Sequence, residues 1–146
     1  MKSKISFYTG LIILTILGYM ISFTGCLKFD EEEEQETYFL IEVDSIDLAD
    51  TITITDTFFI SFYGTVGNTS CYSFYQFYAE TVVDTINIEV WGMLTPGENC
   101  DSALVYLEGE QLNIINFVEG TYFVHVYQPD GSLLIDSLTV VPTGDK

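Results

Sequence analysis

The alternation of polarity along residues 38–141 constrains this chain most. β-Branched and aromatic residues recur at every second position, and Gly, Pro, Asn or Asp interrupts them roughly every eight to twelve positions. A period of two sends successive side chains to opposite faces of an extended strand, and no segment sustains a helical period. Strands are expected near Tyr38–Asp44, Thr51–Thr55, Thr57–Thr65, Cys71–Glu80, Thr85–Trp91, Ala103–Leu107, Gln111–Phe117, Thr121–Tyr127 and Leu133–Val141. Nine short strands of this kind predict an all-β, two-sheet antiparallel sandwich.

Turn residues support these boundaries. Gly67-Asn68, Thr95-Pro96-Gly97-Glu98-Asn99, Glu119-Gly120 and Pro129-Asp130-Gly131 each tolerate or preset turn dihedrals. The last is the clearest hairpin signal, with Tyr122, Val124 and Val126 expected on the core face and His125 on the other. An apolar content of 48%, with 15% aromatics, is enough to build one core.

Charge excludes whole classes of partner. The formal charge is −18; Lys2 and Lys4 lie near the N-terminus, so Lys28 and Lys146 alone face 22 Asp and Glu, and arginine is absent. Nucleic-acid affinity comes largely from Lys and Arg displacing counterions, and such a surface repels phosphate backbones and anionic headgroups alike. Neither nucleic acid nor peripheral membrane binding is expected.

The N-terminal segment carries an address. Lys2 and Lys4 precede an uncharged stretch, Ile5 to Gly25, centred on Leu11-Ile12-Ile13-Leu14 and Ile16-Leu17. Its length suits either a signal peptide or a membrane-spanning anchor. It ends Phe23-Thr24-Gly25-Cys26, which resembles the lipobox of bacterial lipoproteins, although phenylalanine replaces the usual aliphatic residue. The preferred reading is a signal peptide over 1–25, a lipidated Cys26 opening an acidic tether over 26–37, and one domain over 38–146. Leu27-Lys28-Phe29-Asp30 followed by four glutamates resembles the export signal of Bacteroidota-type surface lipoproteins. That resemblance implies an outer-membrane protein, lipid-anchored and exposed at the cell surface; a plain solvated tether is the alternative.

With Cys26 assigned to lipid, Cys71 and Cys100 remain, an even number in a compartment that permits disulfides. Their pairing is worth roughly 3 to 4 kcal/mol in the loop-entropy model. Two isolated cysteines and one histidine do not reproduce the spacing of a zinc site.

Several motifs together resemble a broad group of uncharacterised bacterial lipoproteins with immunoglobulin-like domains. They are Gly64-Thr65 followed by Cys71-Tyr72-Ser73-Phe74, the strand Ile86 to Gly92, Asn99-Cys100, and Glu119 to Val124. The resemblance spans roughly Ser45 to Val141 and implies an immunoglobulin-like sandwich bridged from Cys71 to Cys100. It implies no activity.

Chemistry is sparse. His125 is the only candidate general base and sits mid-strand among aromatics, where a packing or surface role is the ordinary one. No Gly-x-Ser-x-Gly elbow and no phosphate-cradling loop occurs. A hydrolase would need His125 in a pocket with a carboxylate and a hydroxyl. No enzyme is expected. Calcium is the one cofactor considered, through Asp44, Asp47, Asp50 and Asp56, but no glycine-spaced Asp-x-Asp-x-Asp loop appears and solvated strand ends are the preferred reading.

Asp followed by Ser or Thr and an aliphatic residue recurs around Ser45, Thr51, Thr85, Ser102 and Ser137, which resembles the O-glycosylation acceptor of the same bacterial group. The pattern is equally a turn-to-strand transition in an acidic β-protein, and both readings stay open. Aromatics crowd Tyr72 to Tyr78, and alternation sends Tyr72 and Phe74, with Gln76 and Tyr78 after them, to one face and Ser73, Tyr75 and Phe77 to the other. A broad core with tyrosine hydroxyls at its rim is preferred to an exposed row. The expectation is a non-enzymatic surface module that binds a partner or supports the envelope. Its rival is a glycan-binding accessory of an outer-membrane uptake system; a planar platform of Tyr75, Phe77 or Trp91 would favour the glycan, and a flat apolar patch without one would favour a protein.

Overall fold

The computed structural model describes residues 35–97 and 99–144. The segment read as a signal peptide, Cys26 and the acidic run to Glu34 lie outside the described residues. Strands account for 70%, with no helix among the described residues, and residues Glu34–Lys146 form one compact unit.

Nine strands make two sheets: β1 (Thr37–Leu40), β2 (Glu42–Asp47), β3 (Thr51–Thr53), β4 (Phe58–Thr69), β5 (Tyr72–Val82), β6 (Thr85–Leu94), β7 (Ser102–Ile114), β8 (Gly120–Tyr127) and β9 (Leu133–Val141). The three-stranded sheet runs β2-β4-β7, and the six-stranded sheet runs β1-β6-β8-β9-β3 with β5 on the other edge of β6. β6 shares one edge between two strands: Thr85 to Ile88 pair with β8 and Trp91 to Leu94 with β1. The larger sheet is therefore a curled, mixed half-barrel.

The all-β expectation holds, but the uniformly antiparallel one does not. β3 runs parallel to β9, and β6 parallel to β8. Neither contact joins consecutive strands, so hairpin signals in the sequence carry no trace of them.

Two boundaries also differ. The strand expected over Tyr38–Asp44 breaks at Ile41, where the chain passes from the six-stranded to the three-stranded sheet. Ile41 is 1% exposed, and its amide donates to the Val90 carbonyl at 2.8 Å. Conversely, the strands expected over Ala103–Leu107 and Gln111–Phe117 are one strand, β7, with a bulge at Gly109 where Glu108 and Glu110 face Tyr63 and Phe62. Gly109 has φ +95°, a conformation glycine adopts without steric cost.

The core follows the period of two. Phe58, Ile60, Phe62 and Val66 project inward from β4, opposite Ile86, Ile88 and Val90 of β6, Tyr122, Val124 and Val126 of β8, and Leu138 and Val140 of β9. Each such side chain removed from water contributes about 1.5–3 kcal/mol. Gly92 continues the inner face of β6 without a side chain: a Cβ there would stand 2.6 Å from the Phe39 ring, which packs edge-on against Tyr72.

Two corners fix how the sheets join. Cys71 and Cys100 are disulfide-bonded, with their Cα atoms 5.3 Å apart. Around them the Ser70 amide donates to the Asp101 carbonyl, and the Asp101 amide to Ser70 Oγ at 3.0 Å. The bridge thus staples the β4–β5 crossing to the β6–β7 crossing. At the second corner the Tyr122 hydroxyl donates to the Val118 carbonyl at 3.2 Å and accepts from the Val118 amide at 3.3 Å. Phe117 packs edge-on against Tyr122 and Phe58, holding this corner against β4.

Candidate functional site

Aromatic side chains meet water on the outer faces of both sheets: Phe59, Tyr63 and Tyr106 on the three-stranded sheet, and a larger set on the six-stranded one. The cross-strand register places Gln76 opposite Trp91, Tyr78 opposite Glu89 and Glu80 opposite Asn87; β8 and β9 extend the face with His125 opposite Ile135 and Tyr127 opposite Leu133. Tyr38, Tyr75, Tyr78, Phe123, Tyr127, Leu133 and Ile135 are all exposed, Tyr78 at 56% and Ile135 at 57%. An apolar face this broad, interrupted by Glu80, Glu89, Asn87 and Gln76, has the makeup of a contact surface.

Its aromatic groups are oriented by polar neighbours. Trp91 Nε1 donates to Glu89 Oε2 at 2.9 Å, which fixes the half-buried indole. The Tyr38 hydroxyl donates to Glu36 Oε2 at 2.8 Å, and that bond, with the negative charge it brings, pushes the phenol up to about 12. Tyr38 and Tyr75 rings meet at 4.7 Å, inclined by 56°. Tyr127 donates from its hydroxyl to Asn87 Oδ1 at 3.4 Å.

Of the three expected contact residues, Tyr75 is exposed and Trp91 half-buried on this face, while Phe77 is a correction. A bulge at Tyr75 inserts one residue between the pairs Phe74–Gly92 and Gln76–Trp91. The extra residue resets the alternation, so Phe77 joins Phe74 on the inner face and packs 4.8 Å from Phe62. Tyr72 and Phe74 share one face, as alternation placed them, and that face packs on the core; Gln76 and Tyr78, which alternation put beside them, lie on the opposite face for the same reason as Phe77. Tyr78, Phe123 and Tyr127 were not singled out as contact residues from the sequence; for Phe123 and Tyr127 the signal was their alternation with inward Tyr122, Val124 and Val126, whereas the outward turn of Tyr78 depends on the bulge at Tyr75.

Other candidates scatter. Ser45, Thr51, Ser102 and Ser137 are exposed on strands, and Thr85 is half-buried with its hydroxyl donating to Asp84 Oδ1 at 3.2 Å. Among the described residues no three His, Cys, Asp or Glu side chains gather as a metal site, so Asp44, Asp47, Asp50 and Asp56 do not form a calcium cluster. Asp56 instead accepts from the Thr53 amide at 2.9 Å, closing a turn. The register neighbours of half-buried His125 are Asn87 and Ile135, neither a carboxylate nor a hydroxyl.

A cleft of about 380 Å³ lies between β2 and the β8–β9 turn, lined by Glu42, Asp44, Gln128, Asp130 and Leu134 among others. Gln128 closes its wall: Oε1 accepts from the Val43 amide at 3.0 Å, while Nε2 is buried without a partner. The Asp130 carboxyl is held below its usual range by the hydrogen bond it accepts from Ser132. These contacts clamp the hairpin to the smaller sheet and present no reactive pair. No family model, curated protein or solved structure matches the chain.

Proposed function

We propose that this chain is a non-enzymatic, lipid-anchored protein of the outer membrane, displayed at the cell surface, whose immunoglobulin-like domain binds a protein partner through the outer face of the six-stranded sheet. The observation that carries the binding reading is the exposed aromatic face running from Tyr38 and Tyr75 through Tyr78 to Phe123, Tyr127 and Ile135. Glycan platforms stack sugar rings on coplanar aromatics. Here Phe77 turns inward, Trp91 is half-buried, and Tyr38 and Tyr75 are inclined, which supports a protein partner over a saccharide.

The lipid anchor rests on Phe23-Thr24-Gly25-Cys26, and surface display on the acidic run after Lys28. Three features support immunoglobulin-like ancestry: the order β2-β4-β7, the β8–β9 hairpin with β3 parallel beside β9, and a tyrosine bonded to the backbone four residues upstream. The parallel β6–β8 contact and a disulfide at a corner rather than across the sheets are departures.

A photo-crosslinking phenylalanine analogue at Phe123, compared with one at Phe59 on the other sheet, tests the binding face in intact cells. A discrete protein adduct from position 123 alone is expected; equal adducts from both positions, or a carbohydrate adduct, overturn the reading. Intact mass of the membrane-extracted protein tests the anchor, a diacyl or triacyl addition on Cys26 being expected.

A further inference from the structure

We infer that the partner surface docking on the six-stranded sheet is rich in lysine and arginine; this rests on the reading of that face as protein-binding. The chain's four Lys residues all lie outside the described residues, which contain no Lys and no Arg. Glu80 and Glu89, interleaved with Tyr78, Trp91 and Tyr127 on the face, therefore meet no lysine or arginine among the described residues. Among the described residues the one basic side chain is His125, which registers with Asn87 and Ile135 rather than with either glutamate.

The carboxylates are also placed to work with the rings. Glu89 accepts from the Trp91 indole, and Glu36 accepts from the Tyr38 hydroxyl, so each holds its charge at the edge of an aromatic group. A cation approaching the ring face is attracted by the π-system and by the adjacent carboxylate at once. A guanidinium suits this arrangement best, since it stacks on a ring while its N–H groups fork onto a carboxylate. At longer range the −18 charge attracts a basic surface and repels an anionic one.

Trp91 is the chain's single tryptophan and lies on this face, which makes its fluorescence a local reporter. Full-length protein in neutral detergent micelles is titrated with a soluble Arg/Leu/Ser peptide, with the same peptide carrying Gln for each Arg, and with maltohexaose. Saturable change with the Arg peptide alone is expected. Glu80→Gln with Glu89→Gln weakens it about tenfold, whereas Glu42→Gln with Glu108→Gln, which removes the same charge from the smaller sheet's outer face, weakens it no more than about twofold. Glutamine at position 89 still accepts from Trp91, so the reporter is kept. Equal loss in both double variants means diffuse attraction and overturns the inference, as does equal affinity for the Gln peptide, which leaves the protein-docking reading intact. Maltohexaose binding in place of both peptides overturns that reading as well, and no response to any probe overturns the inference.

Discussion

β4 and β5 follow one another across the two-residue turn Ser70-Cys71, have 12 and 11 residues, and both are aromatic-rich, yet they live in different environments. β4 has neighbours on both edges, and its inner positions Phe58, Ile60, Phe62 and Val66 are each at most 5% exposed. β5 pairs only with β6, and none of its residues is fully buried. An aromatic residue on a strand thus reports β-propensity, while its burial depends on what covers the strand. The difference separates side chains that hold the fold from side chains free to contact a partner.

The sharpest way to break this comparison is to truncate one aromatic on each strand. Phe62→Ala removes a fully buried ring and is expected to cost about 4 kcal/mol in urea unfolding, whereas Tyr78→Ala on the outer face of β5 changes stability by less than about 0.5 kcal/mol. Comparable losses would mean that the β5 face is covered in the folded protein.

Next in size is the staple at the turn joining the two strands. Replacing Cys71 and Cys100 together by alanine should lower stability by about 3 kcal/mol, read as a drop in urea midpoint with a steeper slope, since the unbridged denatured chain exposes more surface. The corner that packs through Phe117 onto Phe58 at the start of β4 should respond less. Tyr122→Phe leaves both Val118 backbone groups without the hydroxyl and costs about 1–2 kcal/mol.

Smaller still is a gain at the far end of β5. Val83 has φ +59° in the two-residue turn after β5 and is 89% exposed, so its β-branched side chain is strained and unpacked. Val83→Gly is expected to stabilise by about 0.5–1 kcal/mol in the same assay. At the opposite end of β5, Tyr75 meets Tyr38, whose phenol is pushed up to about 12 by its bond to Glu36. Because that folded pKa is raised, the Tyr38–Glu36 bond stabilises the fold below the ordinary tyrosine range and is lost as pH rises through about 12. An ultraviolet titration should show a late phenol that Tyr38→Phe removes.

Much of the scaffold was legible along the chain. Alternation from Thr57 to Thr65 located a strand, alternation from Tyr122 to Val126 located core-facing positions, and Pro129-Asp130-Gly131 located the β8–β9 hairpin, because all three depend on local periodicity and turn dihedrals. Alternation failed at Phe77, where one inserted residue at Tyr75 reverses every later side chain. The broken strand at Ile41 and the fused strand around Gly109 failed for related reasons, since a change of sheet and a bulge both depend on which strands pair.

The sequence by itself determined the β class, the turn positions and the sign of the surface charge, because these follow from single residues and their nearest neighbours in the chain. Tertiary structure alone decided that β6 and β8 run side by side in parallel, that Phe77 is core, and that Tyr78, Phe123 and Tyr127 share one solvent-facing surface. Residues brought onto a common face by strands 38 positions apart in the chain, as Thr85 and Phe123 are, leave no periodic signal, and only the hydrogen-bonded register assembles them.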